Sequence, residues 1–303
     1  MSTKEHPPHQ YVQHIPVLLD DVVRLLNPQK GESYLDLTAG YGGHATAIIE
    51  QTGNAHGSVL VDRDDFAIAQ LSPLETRGAR LIHTDFLTAA SQLVKEGMRF
   101  DTILIDLGVS SPQLDNSERG FSFMRNGPLD MRMDRRQNKS AHTLVNTASV
   151  DELAKIIHEY GEEPYTVARN YASAIVQARL TLPLETTEDL ANVISTLHRG
   201  RRGRTHPATR TFQAIRIAVN DELIQIEKLM PLLLQLLATG GRVAIISFHS
   251  LEDRIVKRFF KEQMASGYEA ELTELTKKPV DGSISDVHNP RSRSAKLRVA
   301  VKK

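Results

Sequence analysis

Four short apolar runs early in the chain each lead into an acid, and helical patterns lie between them. Ser33–Leu37 carries Asp36, Ser58–Val61 runs into Asp62, Ala79–His83 leads to Asp85, and Thr102–Asp106 ends on its own carboxylate. Gly43–Gln51 and Phe66–Leu71 have the spacing of helices between them. This alternation of strand and helix predicts a parallel sheet covered by helices. Ligands of open α/β sheets bind beyond the carboxyl ends of the strands, so the acids should gather along one functional edge.

The rhythm stops near residue 113. Leu114 to Ser140 is polar and loop-like, and helical signals follow. Ser149-x-x-Glu152 has the form of a capping box before Leu153, Ile156, Ile157 and Tyr160, with Gly161 placed for a C-terminal cap. Ala168, Tyr171, Ala172, Ile175 and Val176 form a second stripe, and Thr186 or Thr187 can cap a third helix through Leu197. The expected organisation is a sheet domain over 1–113, an inserted all-helical domain over 114–212, and the rest of the sheet domain over 213–303. Ile215 to Leu237 reads as one long helix that Pro231 should kink or split, ended by Gly240-Gly241. A buried strand at Arg242–Ser247, a helix after Phe248 and a last strand at Leu297–Val301 complete the pattern.

A length of 303 residues suits one large or two ordinary domains. The absence of cysteine excludes thiolate metal sites and cysteine nucleophiles, and it fits a cytoplasmic protein. Met1–Gln10 has no apolar core of a signal peptide and reads as a disordered tail, and no apolar run approaches a membrane span. The formal net charge is zero, so nucleic-acid binding has to rest on local patches.

Asp36-Leu37-Thr38-Ala39-Gly40-Tyr41-Gly42-Gly43-His44 takes a strand through a glycine-rich turn into a helix. Glycines admit positive φ and let a ligand approach where a Cβ would stand. The spacing Gly40-x-Gly42-x-x-Ala45 also satisfies a dinucleotide fingerprint. Asp36 favours S-adenosylmethionine over a pyrophosphate, because an acid suits an ammonium and a sulfonium and repels phosphates. Asp62 can accept ribose hydroxyls from either cofactor, and Asp85-Phe86 can hold an adenine by its edge and face. Asp106, before Leu107-Gly108-Val109-Ser110-Ser111-Pro112, stands where amino-methylating enzymes place an acid or asparagine. An acceptor there localises the lone pair of an exocyclic amine and can take its proton.

No metal-site pattern emerges from the scattered histidines, and no nucleophile elbow accompanies His249, Ser250 and Asp253. His249 and Ser250, at another strand end, are expected on the substrate side. The run from His198 to Arg210 holds Arg201, Arg202 and Arg210 and no acid, and Asn289–Arg298 holds Arg291 and Arg293. Arginine forks suit phosphates, so these residues are candidate RNA contacts. Asp130–Arg136 is a third cationic cluster with interspersed aspartates, and Phe121 and Phe123 can either stack on a base or join the core.

Across nearly its whole length the chain resembles the MraW family of bacterial 16S rRNA cytosine-N4 methyltransferases. The resemblance rests on His14-x-Pro16-Val17-Leu18-Leu19, Asp36-x-Thr38 with Gly42-Gly43-His44, Asp62-Arg63-Asp64, and above all Asp106 through Asp115 with Glu118–Phe123 and Leu129–Met133. Tyr160–Glu163, His206–Gln213, Ser247–Arg254 and Asn289–Ser294 extend it. It implies a class I, Rossmann-like methyltransferase domain interrupted by a helical substrate domain, with S-adenosylmethionine contacts at Gly42, Gly43, His44, Asp62, Phe86, Asp106 and Gln113. It also implies, as substrate, 16S rRNA in an assembled or late-assembling 30S subunit. Ala39, Tyr41 and Pro231 are mild departures, and Lys277–Val287 is less typical.

Overall fold

The computed structural model describes residues 16–197, 206–265 and 270–303. The expected N-terminal tail, His14, and the arginine run with Arg201 and Arg202 lie outside the described residues.

Parallel strands β1 (Tyr34–Asp36), β2 (Ser58–Asp62), β3 (Arg80–His83), β4 (Phe100–Asp106) and β5 (Leu237–Ser247) form most of one sheet. Strands β6 (Leu272–Glu274) and β7 (Val280–Asp281) both pair antiparallel with β8 (Lys296–Lys302), which itself runs antiparallel to β5. The order β3-β2-β1-β4-β5-β8-β6 sets the parallel strands predicted from the alternation in the Rossmann-like, class I arrangement that the family resemblance implies. The order reverses between β1 and β4, so Asp36 and Asp106 end adjacent strands at the crevice where such sheets bind ligands.

Side-chain alternation along the strands divides the sheet into two apolar faces. Leu35, Val59, Val61, Ile103 and Ile105 face α4 (Phe86–Lys95), α11 (Glu222–Leu236) and α12 (Ser250–Met264). Tyr34, Leu60, Leu104 and Ile246 face α1 (Leu19–Leu26), α2 (Gly43–Thr52) and α3 (Asp65–Thr76). The intervening chain starts with α5 (Ser111–Asp115). It gathers α6 (Ala141–Thr147), α7 (Val150–Gly161), α8 (Tyr165–Thr181), α9 (Thr187–Thr196) and α10 (Ala208–Asn220) around a separate apolar core. A short helix, α13 (Gly282–Ser285), precedes β8. Ser149 and Thr186 make the capping boxes of α7 and α9, and α7 closes through Glu162 at φ 51° rather than through Gly161. Phe121 is buried in the helical core, and Phe123 packs on His206 and Phe212 with ring centroids 4.6 and 4.8 Å away.

Two expectations about the long helix need correction. The break falls at Asp221, where the backbone turns left-handed (φ 51°) between α10 and α11, and α11 runs through Pro231 to Leu236. Asn220 fixes the break from outside: its side chain accepts from Met133 N (2.9 Å) and donates to Met131 O (2.8 Å). The Gly240-Gly241 pair does not stop the helix but lies inside β5, where the register jumps from Phe100↔Leu237 to Thr102↔Arg242. A Cβ on Gly241 would stand 2.9 Å from Phe100 O, so the irregular crossing needs glycine.

Candidate active site

Backbone and side-chain donors fix the acids of β1 and β2. Tyr34 donates its hydroxyl to Asp36 Oδ2 (2.7 Å), and Thr38 N donates to Oδ1 (3.1 Å). Asp62 accepts from Gly40 N (2.8 Å) and Asp64 N (2.9 Å), so its carboxylate braces the glycine turn. Thr38 Oγ1 accepts from Asp106 N (2.6 Å), tying β4 to the same turn. Burial pushes the Asp36 carboxyl up to about 7, against the pull of the Tyr34 and Thr38 bonds, and burial also raises Asp62. Burial raises Asp106 far above the usual carboxylate range, helped by the charges of Asp36 and Glu252. These desolvated acids suit a cationic ligand.

The glycines of the turn divide their roles. A Cβ on Gly42 would meet Leu71 at 2.9 Å, and one on Gly43 would meet Pro16 at 2.3 Å, so these two make room for the protein itself. Gly40, at φ 52°, has only Thr38 O within 4 Å of such an atom, and there the backbone stands open to a ligand. His44 is buried at the start of α2 with Nε2 3.0 Å from Val17 O. Phe86 opens α4 inside the main core, and Asp85 caps that helix by accepting from Thr88 N (2.9 Å).

Gln113 is held at both ends: Nε2 donates to Asp64 Oδ2 (2.7 Å), and Oε1 accepts from Ser110 N (3.0 Å). Arg119, also buried, donates to the same Asp64 oxygen (2.7 Å) and to the carbonyls of Arg132 (3.2 Å) and Met133 (3.1 Å). This clamp joins the end of β2 to the loop that enters the helical core. Asp64 and Arg119 stand in sequence motifs that suggest no role for them; Asp64 has the signature of a helix N-cap, but nothing local marks a buried arginine.

The turn from β5 into α12 forms the other wall. His249 caps α12 and Glu252 completes a capping box, accepting from Phe248 N (2.7 Å) and His249 N (3.3 Å). The other carboxylate oxygen, Glu252 Oε1, lies 3.2 Å from His249 Nε2 without hydrogen-bond geometry. Among the described residues, Asp106 Oδ1, His249 Nε2 and Glu252 Oε1 are buried and make no hydrogen bond. Glu222 comes close enough for one atom each of Glu222, His249 and Glu252 to lie within 4.8 Å of one another. Both Glu222 oxygens, however, accept from Arg216 (2.9 Å each), and His249 Nδ1 accepts from Glu252 N (3.3 Å). An arginine-bound carboxylate and a committed imidazole make this an ion-pair network, ill suited to a metal.

Ser250 lies on the first turn of α12 and donates to Glu162 Oε2, and Arg254 donates to Glu162 Oε1 (2.9 Å), so the helical core is latched beside this wall. Arg210 is exposed near Glu163 (3.7 Å). Arg291 pairs with Asp115 (2.5 Å), and Arg293 is exposed. In the third cluster, Arg132 and Arg136 are paired with Asp130 and Asp134, which reduces its net charge. The structure thus brings Asp36, Asp62, Asp106 and His249 to one edge of the sheet, while Arg291 and Arg293 share one short 3-10 turn. Among the described residues no helix is long and apolar enough to cross a membrane.

The chain is 44% identical over 95% of its length to the ribosomal RNA small subunit methyltransferase H of Lawsonia intracellularis, covering 99% of that protein. It is 47% identical over 95% of its length to the protein of the same name from Geobacter sp. strain M21, covering 98% of it. Among solved structures, a putative SAM-dependent methyltransferase from Streptococcus mutans aligns at 12% identity and a TM-score of 0.41, over 93% of this chain and 48% of that one. The family model described as the MraW methylase family matches residues 11–303, and the chain belongs to that family.

Proposed function

We propose that the chain transfers a methyl group from S-adenosylmethionine to the exocyclic N4 of a decoding-centre cytosine in 16S rRNA. Its substrate is the assembled or late-assembling 30S subunit in the cytoplasm. The names of the curated relatives support the rRNA substrate, and one observation carries the chemistry. Asp106 Oδ1 is buried, without a hydrogen bond, at the end of the strand beside the glycine turn. A carboxylate in that state favours a donor brought by the substrate, and an exocyclic amine is such a donor.

The residues fit the cofactor. Asp36, buried and proton-hungry, matches a cationic group, Asp62 matches ribose hydroxyls, and the open face of Gly40 admits the ligand backbone-close. Gly42, Gly43, His44, Phe86 and Gln113 frame that site. When bound, the cofactor supplies an electrophilic methyl group on a sulfonium. Asp106 then orients the amine through one N–H and takes the proton shed as the nitrogen is alkylated. Holding nitrogen and methyl in line contributes on the order of several kcal/mol.

Arg201, Arg202, Arg210, Arg291 and Arg293, with His249 and Ser250, are the proposed substrate side, and residues 114–212 the recognition domain. Separated clusters favour a folded target that meets several at once, with the cytosine unstacked into the pocket. Nucleoside mass spectrometry of 16S rRNA from a deletion strain is the decisive experiment. N4-methylation should vanish and return with the wild-type gene but not with Asp106→Ala; an unchanged modification profile refutes the reading. Assembled 30S particles should be methylated far better than the same rRNA stripped of protein at matched salt.

A further inference from the structure

Two buried carboxylates of the acceptor wall, Glu222 and Glu252, share one arginine, Arg216, and the ring of His249. Glu252 has no exposed surface, and its Oε1 makes no well-formed hydrogen bond, with His249 Nε2 3.2 Å away. Arg216, reaching in from α10, spends its fork on both oxygens of Glu222. Oε1 of Glu252 lies 3.9 Å from where a Cβ on Gly108 would stand, so it looks onto the loop that leaves Asp106. Removing two carboxylates from water costs several kcal/mol each unless they are paired, and the capping of α12 requires only the other oxygen of Glu252. A capping box does not need a buried glutamate: that of α7 closes on Glu152, which is exposed.

We infer that Glu252 is a positioning residue of the methyl-transfer reaction, a fixed buried anion that acts through Asp106 to strengthen it as the acceptor of the amine proton. The inference rests on the amine-methylation reading above. In the step concerned, the amine nitrogen gives its lone pair to the methyl carbon, the electron pair of the former carbon–sulfur bond stays on sulfur, and one amine proton passes to Asp106. Positive charge thus moves toward the end of β4, and a preorganised anion there needs no reorganisation to stabilise it. A like charge nearby also raises the affinity of Asp106 for a proton.

The groups facing these two carboxyls are known from every side. Asp36 and Tyr34 of β1 face Asp106, His249 of the β5–α12 turn and Arg216 of α10 face Glu252, and Glu222 of α11 holds Arg216. His249 and Arg216 hold Glu252 below the usual range against the effect of burial, so it is charged at neutral pH.

Glu252→Gln keeps the shape and the oxygen that caps α12 while removing the charge. Two quantities should move. The single-turnover rate on 30S particles at its pH plateau should fall about 10- to 100-fold. The acid limb of that rate should shift to lower pH, because Asp106 without its neighbouring anion gives up its proton more easily. The infrared band of the protonated Asp106 carboxyl, identified by its loss in Asp106→Asn, should titrate at lower pH by the same amount with no substrate present. Glu252→Asp retains the charge and should keep the band near its wild-type midpoint, which guards against a Gln variant that folds poorly. An unmoved band in Glu252→Gln, or equal shifts in the Gln and Asp variants, overturns the inference. If the wild type forms no N4-methylcytidine, it is the amine reading that fails, while the titration of Asp106 still judges the electrostatic link.

Discussion

The two halves of the crevice are built in opposite ways. At the ends of β1 and β2, each carboxylate oxygen of Asp36 and Asp62 accepts a hydrogen bond from the chain itself, and Asp64 is clamped by Gln113 and Arg119. At the ends of β4 and β5, Asp106, Glu252 and His249 each keep a buried polar atom that makes no hydrogen bond, although His249 Nε2 and Glu252 Oε1 lie 3.2 Å apart. In the first half every carboxylate oxygen of Asp36 and Asp62 is met, although Arg119 Nε makes no hydrogen bond; in the second the functional side chains themselves are left with interactions unmade. Trimming the first should therefore cost stability, and trimming the second should cost activity alone.

Asp106→Asn gives the sharpest contrast. Loss of its proton-accepting carboxylate should lower single-turnover methylation by about 10²–10⁴-fold. Calorimetry should still find cofactor binding within about threefold of wild type, and the melting temperature should hold or rise, since an amide is cheaper to bury than a carboxylate. A large drop in melting temperature would break the distinction between the halves. Arg119→Ala tests the first half: leaving Asp64 buried without its cation should cost about 3–5 kcal/mol. At about 2–4 °C per kcal/mol for domains of 150–250 residues, thermal melting should report it readily. A loss within the error of the melt would mean the clamp is ornamental.

Asp62→Ala should weaken S-adenosylmethionine binding by about 10- to 100-fold, the scale of hydrogen bonds to a charged group, and leave affinity for 30S particles unchanged. Equal losses for both ligands would show that the two halves cannot be separated. The smallest effect concerns Asp36. Its carboxyl keeps a proton up to about pH 7 when folded, against an ordinary value of 3.8. Between those values the folded chain binds more protons than the unfolded one, so this group makes stability fall as pH rises across the window. Asp36→Asn should remove that slope, so its melting temperature measured against wild type should stand higher at pH 8 than at pH 4. A difference independent of pH would sink the assignment.

Local sequence determined much of this protein. Short apolar runs leading into acids marked the strands and their carboxyl ends, because run length and turn chemistry act over a few residues. The box at Ser149 was legible for the same reason, and so was a cap for α9 at Thr186 or Thr187, of which the structure uses Thr186. Phe121 was not, since an aromatic beside an arginine looks alike whether it meets a base or the helical core that buries it. Pro231 misled for a related reason: its local cost is real, but the packed face of Ile226, Leu229, Met230 and Leu233 carries α11 through it, while Asn220 bonds to a distant loop and sets the break at Asp221. Gly42 and Gly43 were visible as a turn, yet only the packed fold reveals that Leu71 and Pro16 occupy their missing side chains. The same holds for Arg119 on Asp64 and for Glu252 behind Asp106, pairs separated by 55 and 146 positions. Desolvation and long-range charge depend on what surrounds a group in space. The sequence names such groups, and only the tertiary structure decides which of them are buried together and which are left with a bond to make.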